Sequence, residues 1–327
     1  MVEPPFPILF ITGSRIGDAI LSSGLLKRLY DEIPGARFTI AVGPPAAPLF
    51  ADMPRVDRII VLEKKRFGGH WFDLWRKTRG TRWGLIVDLR GSAISSFLRR
   101  RRRAVFRRGA EADAEHKVIE AARVLQLSDD PPSPYLFTSA ETEAAATAYL
   151  GAGGPILAIA PGANWLGKAW PAERFAEAAT RLLSADGPLP TGRLLVLGSE
   201  TDRDAGQTLK LAVSRDRIIG VPGQIDLLTT YACLKRARLF IGNDSGAMHL
   251  AAAAGAPTLG LFGPSDDRLY APWGPAARAL RGPREFEAIR LIDPDLNQAV
   301  GHMFDLPVGW VVEAATRLLA DTEATHG

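Results

Sequence analysis

The 327-residue chain is long enough for two domains, carries a net charge of +4 and is 46% hydrophobic, an ordinary composition for a globular protein. One cysteine, Cys233, excludes an intrachain disulfide and a metal site built from several cysteines. The sequence contains no run of 18 apolar residues and no recognisable signal peptide, so we expect a cytoplasmic protein without a spanning helix.

The first half alternates short apolar strands with helices, which is typical of a parallel sheet with right-handed crossovers. A glycine-containing loop over 13–17 leads into a helix that begins at Asp18. Its Gly-x-x-x-Gly spacing is not a dinucleotide fingerprint, and no acidic residue ends the next strand, which disfavours a nicotinamide enzyme. The predicted strands are 8–12, 38–42, 56–62 and 85–89, and the later helices are 117–127 and 141–150.

Two segments of this half stand out by charge. Residues 67–81 are aromatic and basic and predict a helix or a mobile loop over one face of the domain. Residues 94–98 predict the start of a helix that leads into an arginine cluster, Arg99 to Arg103 followed by Arg107 and Arg108. Such a cluster indicates a solvated face, an acidic lipid surface, a phosphorylated ligand or nucleic acid. Nucleic acid is disfavoured, because no recognised nucleic-acid module accompanies the cluster.

The alternation restarts after a glycine-rich linker at 151–155. The predicted domains are therefore 1–150 and 155–305, and an amphipathic helix at about 307–320 is a candidate to pack back on the first domain. Two doubly wound halves form a cleft, where ligands commonly bind. The strands predicted here are 156–160, 194–197, 217–220, 239–241 and 258–262, with helices over 171–183, after 202, over 225–234 and over 247–254.

A turn at 242–246 joins a buried strand to a helix of small residues. The first amides of a helix have no intrahelical partner and carry the positive end of its dipole. We therefore predict that the amides of Ser245 to Met248 bind a phosphate or diphosphate. The alternative is that Asp244 or Ser245 caps the helix.

Four stretches together resemble the ADP-heptose:lipopolysaccharide heptosyltransferase family, glycosyltransferase family 9. The first is NDSGAMHLAAAA at 243–254, followed by LFGPSD at 261–266. The others are ILFITGSRIGDAIL at 8–21, PGANWLGKAWP at 161–171 and LGSE at 197–200. The matches occur in the family's order and span nearly the whole chain.

The resemblance implies an α/β protein of GT-B fold, with two Rossmann-like doubly wound domains facing each other across a cleft. The N-terminal domain would bind the acceptor and the C-terminal one the nucleotide sugar. The implied reaction is an inverting, metal-independent transfer of heptose from ADP-heptose to a lipopolysaccharide core acceptor. The implied partners are that donor, a lipid A/core oligosaccharide and peripherally the inner membrane, with no cofactor and no nucleic acid. The alternatives are another nucleotide-linked sugar, or a non-catalytic nucleotide-sugar or lipid-binding protein of the same fold.

The resemblance also implies the site. Asp18 would be the general base or would steady positive charge on the sugar ring, although a helix N-cap is its structural alternative. Lys168 and the helix-start amides would stabilise the departing diphosphate. Ala163 and Asn164 stand where the family often has Thr or Ser, which leaves the sugar open. The donor-binding set is Ala163, Asn164, Lys168, Glu200, Asp244, Ser245, Gly246 and His249, and the acceptor-binding set is Arg15, Arg90, Arg101 and Arg102.

Metal sites are disfavoured by the same sequence. Asp293 and Asp295 form an Asp-Pro-Asp string, which the proline suggests is a turn. His116 and Glu120 share a predicted helix face, but two ligands without a third do not make a site. We therefore expect no bound metal.

Overall fold

Two units of parallel strands and helices make up the computed structural model, which describes residues 5–107, 109, 115–220, 222–296 and 300–324. The first unit ends at Ser139 and the second begins at Ala140. Each unit has a parallel sheet of its own. The alternation predicted from the sequence is therefore confirmed as an α/β architecture.

The first unit contains a five-stranded parallel sheet of order β3-β2-β1-β4-β5. The strand order reverses between β1 and β4, so the loops that follow these two strands lie side by side at the carboxyl edge. Its strands are β1 (Phe6–Ile11), β2 (Ala36–Val42), β3 (Val56–Val61), β4 (Trp83–Asp88) and β5 (Arg100–Val105). Its helices are α1 (Ile16–Leu21), α2 (Ser23–Glu32), α3 (Gly69–Thr78) and α4 (Lys117–Arg123), with 3₁₀ turns at Pro44–Phe50, Arg66–Gly68 and Ala93–Phe97.

The predicted helix running into the arginine cluster is wrong. Residues 93–97 form a single 3₁₀ turn, and Arg100 to Arg103 form the first part of β5, which pairs with β4 in parallel. β5 is the edge strand of the sheet, and Arg101, Arg102 and Arg103 are exposed on it. The Arg100 guanidinium donates to the carbonyls of Ser96 (3.0 Å) and Leu98 (2.8 Å). Arg108 lies outside the described residues.

The second unit contains a six-stranded parallel sheet of order β11-β10-β9-β6-β7-β8. Its strand order reverses between β6 and β9. The strands are β6 (Ile156–Ala160), β7 (Arg193–Val196), β8 (Ile218–Ile219), β9 (Leu239–Asn243), β10 (Thr258–Phe262) and β11 (Ala277–Arg281). The helices are α5 (Ala140–Leu150), α6 (Ala172–Leu182), α7 (Arg203–Ala212), α8 (Leu227–Leu234), α9 (Gly246–Ala253), α10 (Asp267–Tyr270), α11 (Phe286–Ile292) and α12 (Val308–Ala324).

Two helices lie differently from the domain limits inferred from the sequence. The sequence predicts α5 as the last helix of the first domain. In the structure α5 belongs to the second unit and packs against α8, and Lys235 Nζ lies 2.6 Å from Glu143 Oε1. The sequence predicts that the last helix could pack back on the first domain. In the structure this helix, α12, packs against α6, β9, β10 and β11 of the second unit. Its Val311, Ala315 and Leu318, spaced by three or four residues, are fully or almost fully buried in that core.

Candidate active site

The loops that follow β6 and β9 flank the point where the order of the second sheet reverses. Ligands of open parallel sheets commonly bind at this place. The first loop carries residues 161–168 and the second carries Asp244 and Ser245. The sequence motifs at 161–171 and 243–254 are therefore neighbours in the structure, because β6 and β9 pair directly.

An ion pair joins the two loops. Lys168 Nζ lies 2.5 Å from Asp244 Oδ2, and the side chain of Asp244 is only 7% exposed. A buried carboxylate needs such a partner, since an isolated charge is costly away from water. Asp244 thus holds the Lys168 ammonium beside the start of α9.

No side chain among the described residues caps α9. Ser245 stands at the N-cap position with an extended backbone, but its hydroxyl makes no capping hydrogen bond. Its buried Oγ has no hydrogen-bond partner. The capping alternative is therefore not what the structure shows. The helix start keeps its amides available for an anion, together with a hydroxyl group that has a donor to spare.

Asn243 fixes the shape of the first loop. Its Oδ1 accepts a hydrogen bond from the Trp170 amide (3.1 Å), and its Nδ2 donates to the carbonyl of Pro161 (2.8 Å). Asn243 is completely buried at the end of β9. One side chain thus ties both ends of residues 161–170 to the neighbouring strand.

A segment from 302 to 306 supports the same loop from another side. The amide of His302 donates to the carbonyl of Gly167 (3.2 Å), and its ring Nε2 lies 2.9 Å from Asp293 Oδ2. Trp170 Nε1 donates to the carbonyl of Leu306 (3.1 Å). The Asp-Pro-Asp string therefore contributes a partner for a buried histidine.

The other predicted donor-binding residues occupy the same edge of the sheet with different exposure. Ala163 and Gly246 are half-buried, Asn164 and Glu200 are exposed, and His249 is buried on α9. Glu200 follows β7, and its Oε1 lies 3.1 Å from Arg203 Nη2. The structure brings the motif residues to one edge, although no described contact joins Glu200 to the Lys168–Asp244 pair.

In the first unit, Asp18 lies in the first turn of α1, where the chain leaves β1. A Cβ at Gly13 would lie 2.5 Å from the Cβ of Asp18, so only glycine lets the loop pass so close. Asp18 is exposed and is not the N-cap, a position held by Arg15 without a side-chain cap.

The pKa of the Asp18 carboxyl is raised above its ordinary value of 3.8. Desolvation by the surrounding protein is the main cause, while the positive charges of Arg15, Lys117 and Arg90 act in the opposite direction. The side chain still reaches solvent, which limits how far its pKa can move. A raised pKa makes the carboxylate a better proton acceptor.

Arg90 is held beside this carboxyl by the loop after β4. Its amide donates to Asp88 Oδ1 (3.1 Å), its guanidinium donates to Ser14 Oγ (2.8 Å), and it lies over the Trp71 ring. Asp88 is completely buried. Arg15 and Arg90, both predicted from the sequence, thus lie close enough to Asp18 to influence its charge.

Arg101 and Arg102 lie elsewhere. Adjacent residues of a strand point to opposite faces, so these two side chains leave β5 in opposite directions. Arg102 is level with Leu85, three residues or about 10 Å before the carboxyl end of β4 at Asp88. No described contact joins either arginine to Asp18, and their role in acceptor binding stays a prediction.

Comparison with known proteins decides the family. The family model described as glycosyltransferase family 9 (heptosyltransferase) matches residues 74–293. The chain belongs to glycosyltransferase family 9. It is therefore a glycosyltransferase, and the resemblance noted in its sequence is confirmed.

Named relatives of this family 9 chain cover most of its length. It is 25% identical over 313 residues to lipooligosaccharide heptosyltransferase 2 of Haemophilus influenzae, covering 84% of this chain and 88% of the relative. It is 24% identical to lipopolysaccharide heptosyltransferase 2 of Escherichia coli K12, covering 97% of this chain and 99% of the relative. The E. coli ADP-heptose lipopolysaccharide heptosyltransferase II structure matches with a TM-score of 0.76 at 22% identity, covering 97% and 100% of the two chains. This likeness confirms the expected GT-B fold.

Two residues that shape the site, Asn243 and Arg281, are not predicted as functional from the sequence. The sequence predicts Asn243 only as part of a turn, and nothing in the local sequence indicates its partners 73 and 82 residues away. Arg281 of β11 binds the carbonyls of Gly263 and Ser265 and so holds the loop after β10. A predicted strand after residue 276 would indicate the position of Arg281, but the sequence pattern predicts no strand there.

None of the helices that the structure describes is long and apolar enough to cross a membrane. The described residues contain no group of three or more His, Cys, Asp or Glu side chains arranged to hold a metal ion. Metal independence stays a prediction.

Proposed function

We propose that the protein transfers a heptose from ADP-heptose to a lipopolysaccharide core acceptor with inversion and without a metal. The observation that carries the donor half is the Lys168–Asp244 pair beside the uncapped start of α9. The family and the heptosyltransferases among its relatives support the sugar and the acceptor. The E. coli protein of the same fold is described as an ADP-heptose enzyme, which supports adenine as the nucleobase of the donor.

The second unit would stabilise the leaving group. As the glycosidic bond to the diphosphate breaks, negative charge grows on the phosphate oxygens. The amides at the start of α9, the Ser245 hydroxyl and the Lys168 ammonium are donors fixed in advance around that charge. A preorganised donor of this kind is worth about 3–4 kcal/mol in the transition state. Such donors replace the metal ion that other transferases use to hold a diphosphate.

The first unit would supply the base. Asp18 accepts the proton of the acceptor hydroxyl as that oxygen attacks the anomeric carbon on the face opposite the diphosphate, so the configuration inverts. The raised pKa of Asp18 suits this role. Arg15 and Arg90 would bind the acidic groups of the acceptor, because guanidinium pairs with phosphate and carboxylate in a bidentate manner.

The deciding experiment compares the wild-type protein with Asp18→Ala. Wild-type protein mixed with ADP-heptose and a heptose-deficient core acceptor should release ADP and form an inverted product, identified by NMR, in the presence of EDTA. Asp18→Ala should lose turnover by about 10²–10⁴-fold and keep its affinity for ADP. A wild-type protein that binds the nucleotide but never turns over would support the non-catalytic alternative. Turnover with UDP- or GDP-linked sugars in preference to ADP-heptose would overturn the donor assignment.

A further inference from the structure

The first unit displays aromatic side chains to solvent on two segments that pack together. Phe67 is fully exposed, and Phe72 and Phe97 are 62% and 72% exposed. Phe67 lies in the 3₁₀ turn Arg66–Gly68 that precedes α3, and Phe72 lies in the first turns of α3. Phe97 lies in the 3₁₀ turn of residues 93–97, which packs against α3. Single exposed apolar residues are normal, but neighbouring exposed aromatic rings indicate an interaction surface. We call Phe67, Phe72 and Phe97 with the basic residues of 64–79 the aromatic-basic surface.

A strained backbone conformation holds the Phe67 ring in solvent. Phe67 has a φ of 53°, in the left-handed region that non-glycine residues rarely adopt. It is followed by Gly68 in the same region, so the chain turns sharply before α3 begins. Strain of this kind persists where the position of a side chain matters. The turn keeps the Phe67 ring away from the core, which is the opposite of what folding alone favours.

Positive charge surrounds the exposed rings. Residues 63–82 contain seven Lys and Arg but two acidic residues, so this segment alone carries more net charge than the whole chain. The Arg66 guanidinium lies over the Phe67 ring at 5.9 Å, and Arg79 lies over Trp75 at 5.0 Å. Trp75 in turn stacks on Phe72. Cations and aromatic rings are thus interleaved along one stretch.

The inner side of α3 is built differently. Leu74 and Thr78 are buried, and Trp71 and Trp75 pack against the core of the first sheet. The helix is therefore anchored by one face, while Phe72, Arg76 and Arg79, spaced by four and three residues, are exposed on another. An anchored helix with a basic and aromatic outer face is the pattern of a segment that lies in a bilayer interface.

We propose that the aromatic-basic surface docks the protein on an anionic lipid bilayer. Lysine and arginine would meet the lipid phosphates, and the three phenylalanine rings would enter the boundary between head groups and acyl chains. The surface adjoins the candidate base Asp18. The Arg90 guanidinium lies over the ring of Trp71 in α3, and the charge of Arg90 acts on Asp18. The choice of a bilayer as occupant, rather than nucleic acid or a protein, rests on the proposed lipid-linked acceptor. The arginine cluster of β5 becomes a secondary contributor of charge.

The test is vesicle sedimentation of the full chain at low salt, without donor or acceptor. Vesicles of phosphatidylglycerol and phosphatidylcholine in equal parts should bind the protein, and phosphatidylcholine alone should bind it much less. The triple variant Phe67→Ser, Phe72→Ser, Phe97→Ser should lose at least about tenfold in partitioning. Arg66→Gln should lose about fivefold, and raising the salt should weaken the wild type similarly.

A matched control is Leu211→Ser with Leu291→Ser, since these leucines of the second unit are equally exposed at 78% and 83%. The control should bind vesicles like the wild type. The proposal is overturned if wild type ignores anionic vesicles, if the triple variant binds them unchanged, or if the triple variant instead alters the oligomeric state or RNA binding. Since the assay contains no substrates, its failure leaves the proposed transferase activity standing. Conversely, an inactive protein that still binds vesicles would separate the two proposals.

Discussion

At the scale of single residues, Asp18 and Lys168 gain their chemistry from their neighbours. Asp18 is exposed, but nearby protein partly desolvates it and disfavours its charge, while three cations favour that charge; the desolvation prevails and the pKa of Asp18 is raised. Lys168 is oriented by a carboxylate that is almost buried. Neither property belongs to an aspartate or a lysine as such, so each is open to test by changing the neighbour.

The pH dependence of transfer should follow the charges around Asp18. A base works when ionised, so the rate should fall as the pH drops through the raised pKa of Asp18, above the ordinary aspartate range. Glu120 raises this pKa and Arg90 lowers it. Glu120→Gln should therefore move the acid limb of kcat/KM to lower pH, and Arg90→Gln should move it to higher pH. Acid limbs that stay in place in both variants would remove Asp18 from the role of base.

Lys168→Ala should weaken ADP binding by about 10- to 100-fold, because it removes a charged hydrogen-bond donor from the diphosphate. It should also lower the free energy of unfolding by about 1–3 kcal/mol, since Asp244 is left nearly buried without its partner. Calorimetry and urea unfolding measure the two effects separately. In the double variant Lys168→Ala, Asp244→Asn the stability should recover while the affinity stays low. Full ADP affinity in Lys168→Ala would contradict the phosphate role.

At the scale of elements, the loop after β6 is a structure held by other elements rather than by its own sequence. Asn243 of β9 ties down both of its ends, and the segment from His302 to Leu306 supports its middle. The loop contains only one short 3₁₀ turn of its own, Leu166–Lys168. The position of Lys168 therefore depends on residues more than seventy positions away.

Asn243→Ala should destabilise the protein by at least about 2 kcal/mol, because it leaves the Trp170 amide and the Pro161 carbonyl buried without partners. ADP affinity should fall as well, although Asn243 is buried beneath the loop. Asn164→Ala is the matched control, since it removes an exposed asparagine from the same loop and should change stability by no more than about 0.5 kcal/mol. Equal stabilities of the two variants in urea would show that Asn243 does not hold the loop.

At the scale of the whole molecule, the two units have separate sheets and separate candidate roles. The proposed leaving-group donors, Ser245, the amides of α9 and Lys168, lie in the second unit, and the proposed base, Asp18, lies in the first. A nucleotide without its sugar should therefore act on one unit only.

ADP at a hundred times its dissociation constant should stabilise the protein by about 2.7 kcal/mol, and UDP and GDP at the same concentration should do less. Hydrogen exchange should slow in the loops around 161–170 and 244–249 and remain unchanged between β1 and α1. Lys168→Ala serves as the control and should show a smaller thermal shift. Protection that appears first around Asp18 would place the nucleotide in the other unit and contradict the proposal.

The sequence alone predicted most of the strands and helices, because the alternation of apolar and polar residues shows which strand or helix face is buried. The residues of the four motifs and their order along the chain also indicated the family. β5 was not predicted, because its strand conformation depends on pairing with β4 and a run of arginines has no alternation of apolar and polar residues. The packing partner of α12 was not predicted either, since an amphipathic pattern shows that a helix packs against something but not against which element.

Only the tertiary structure decided the site. The sequence shows Lys168 and Asp244 as two residues 76 positions apart, and the pairing of β6 with β9 makes them an ion pair. It shows Arg101 and Arg102 as neighbours, and the strand sends them to opposite faces. The physical reason is the same throughout. Local sequence fixes local backbone preference, whereas charge, desolvation and hydrogen-bond partners depend on which distant segments are brought into contact.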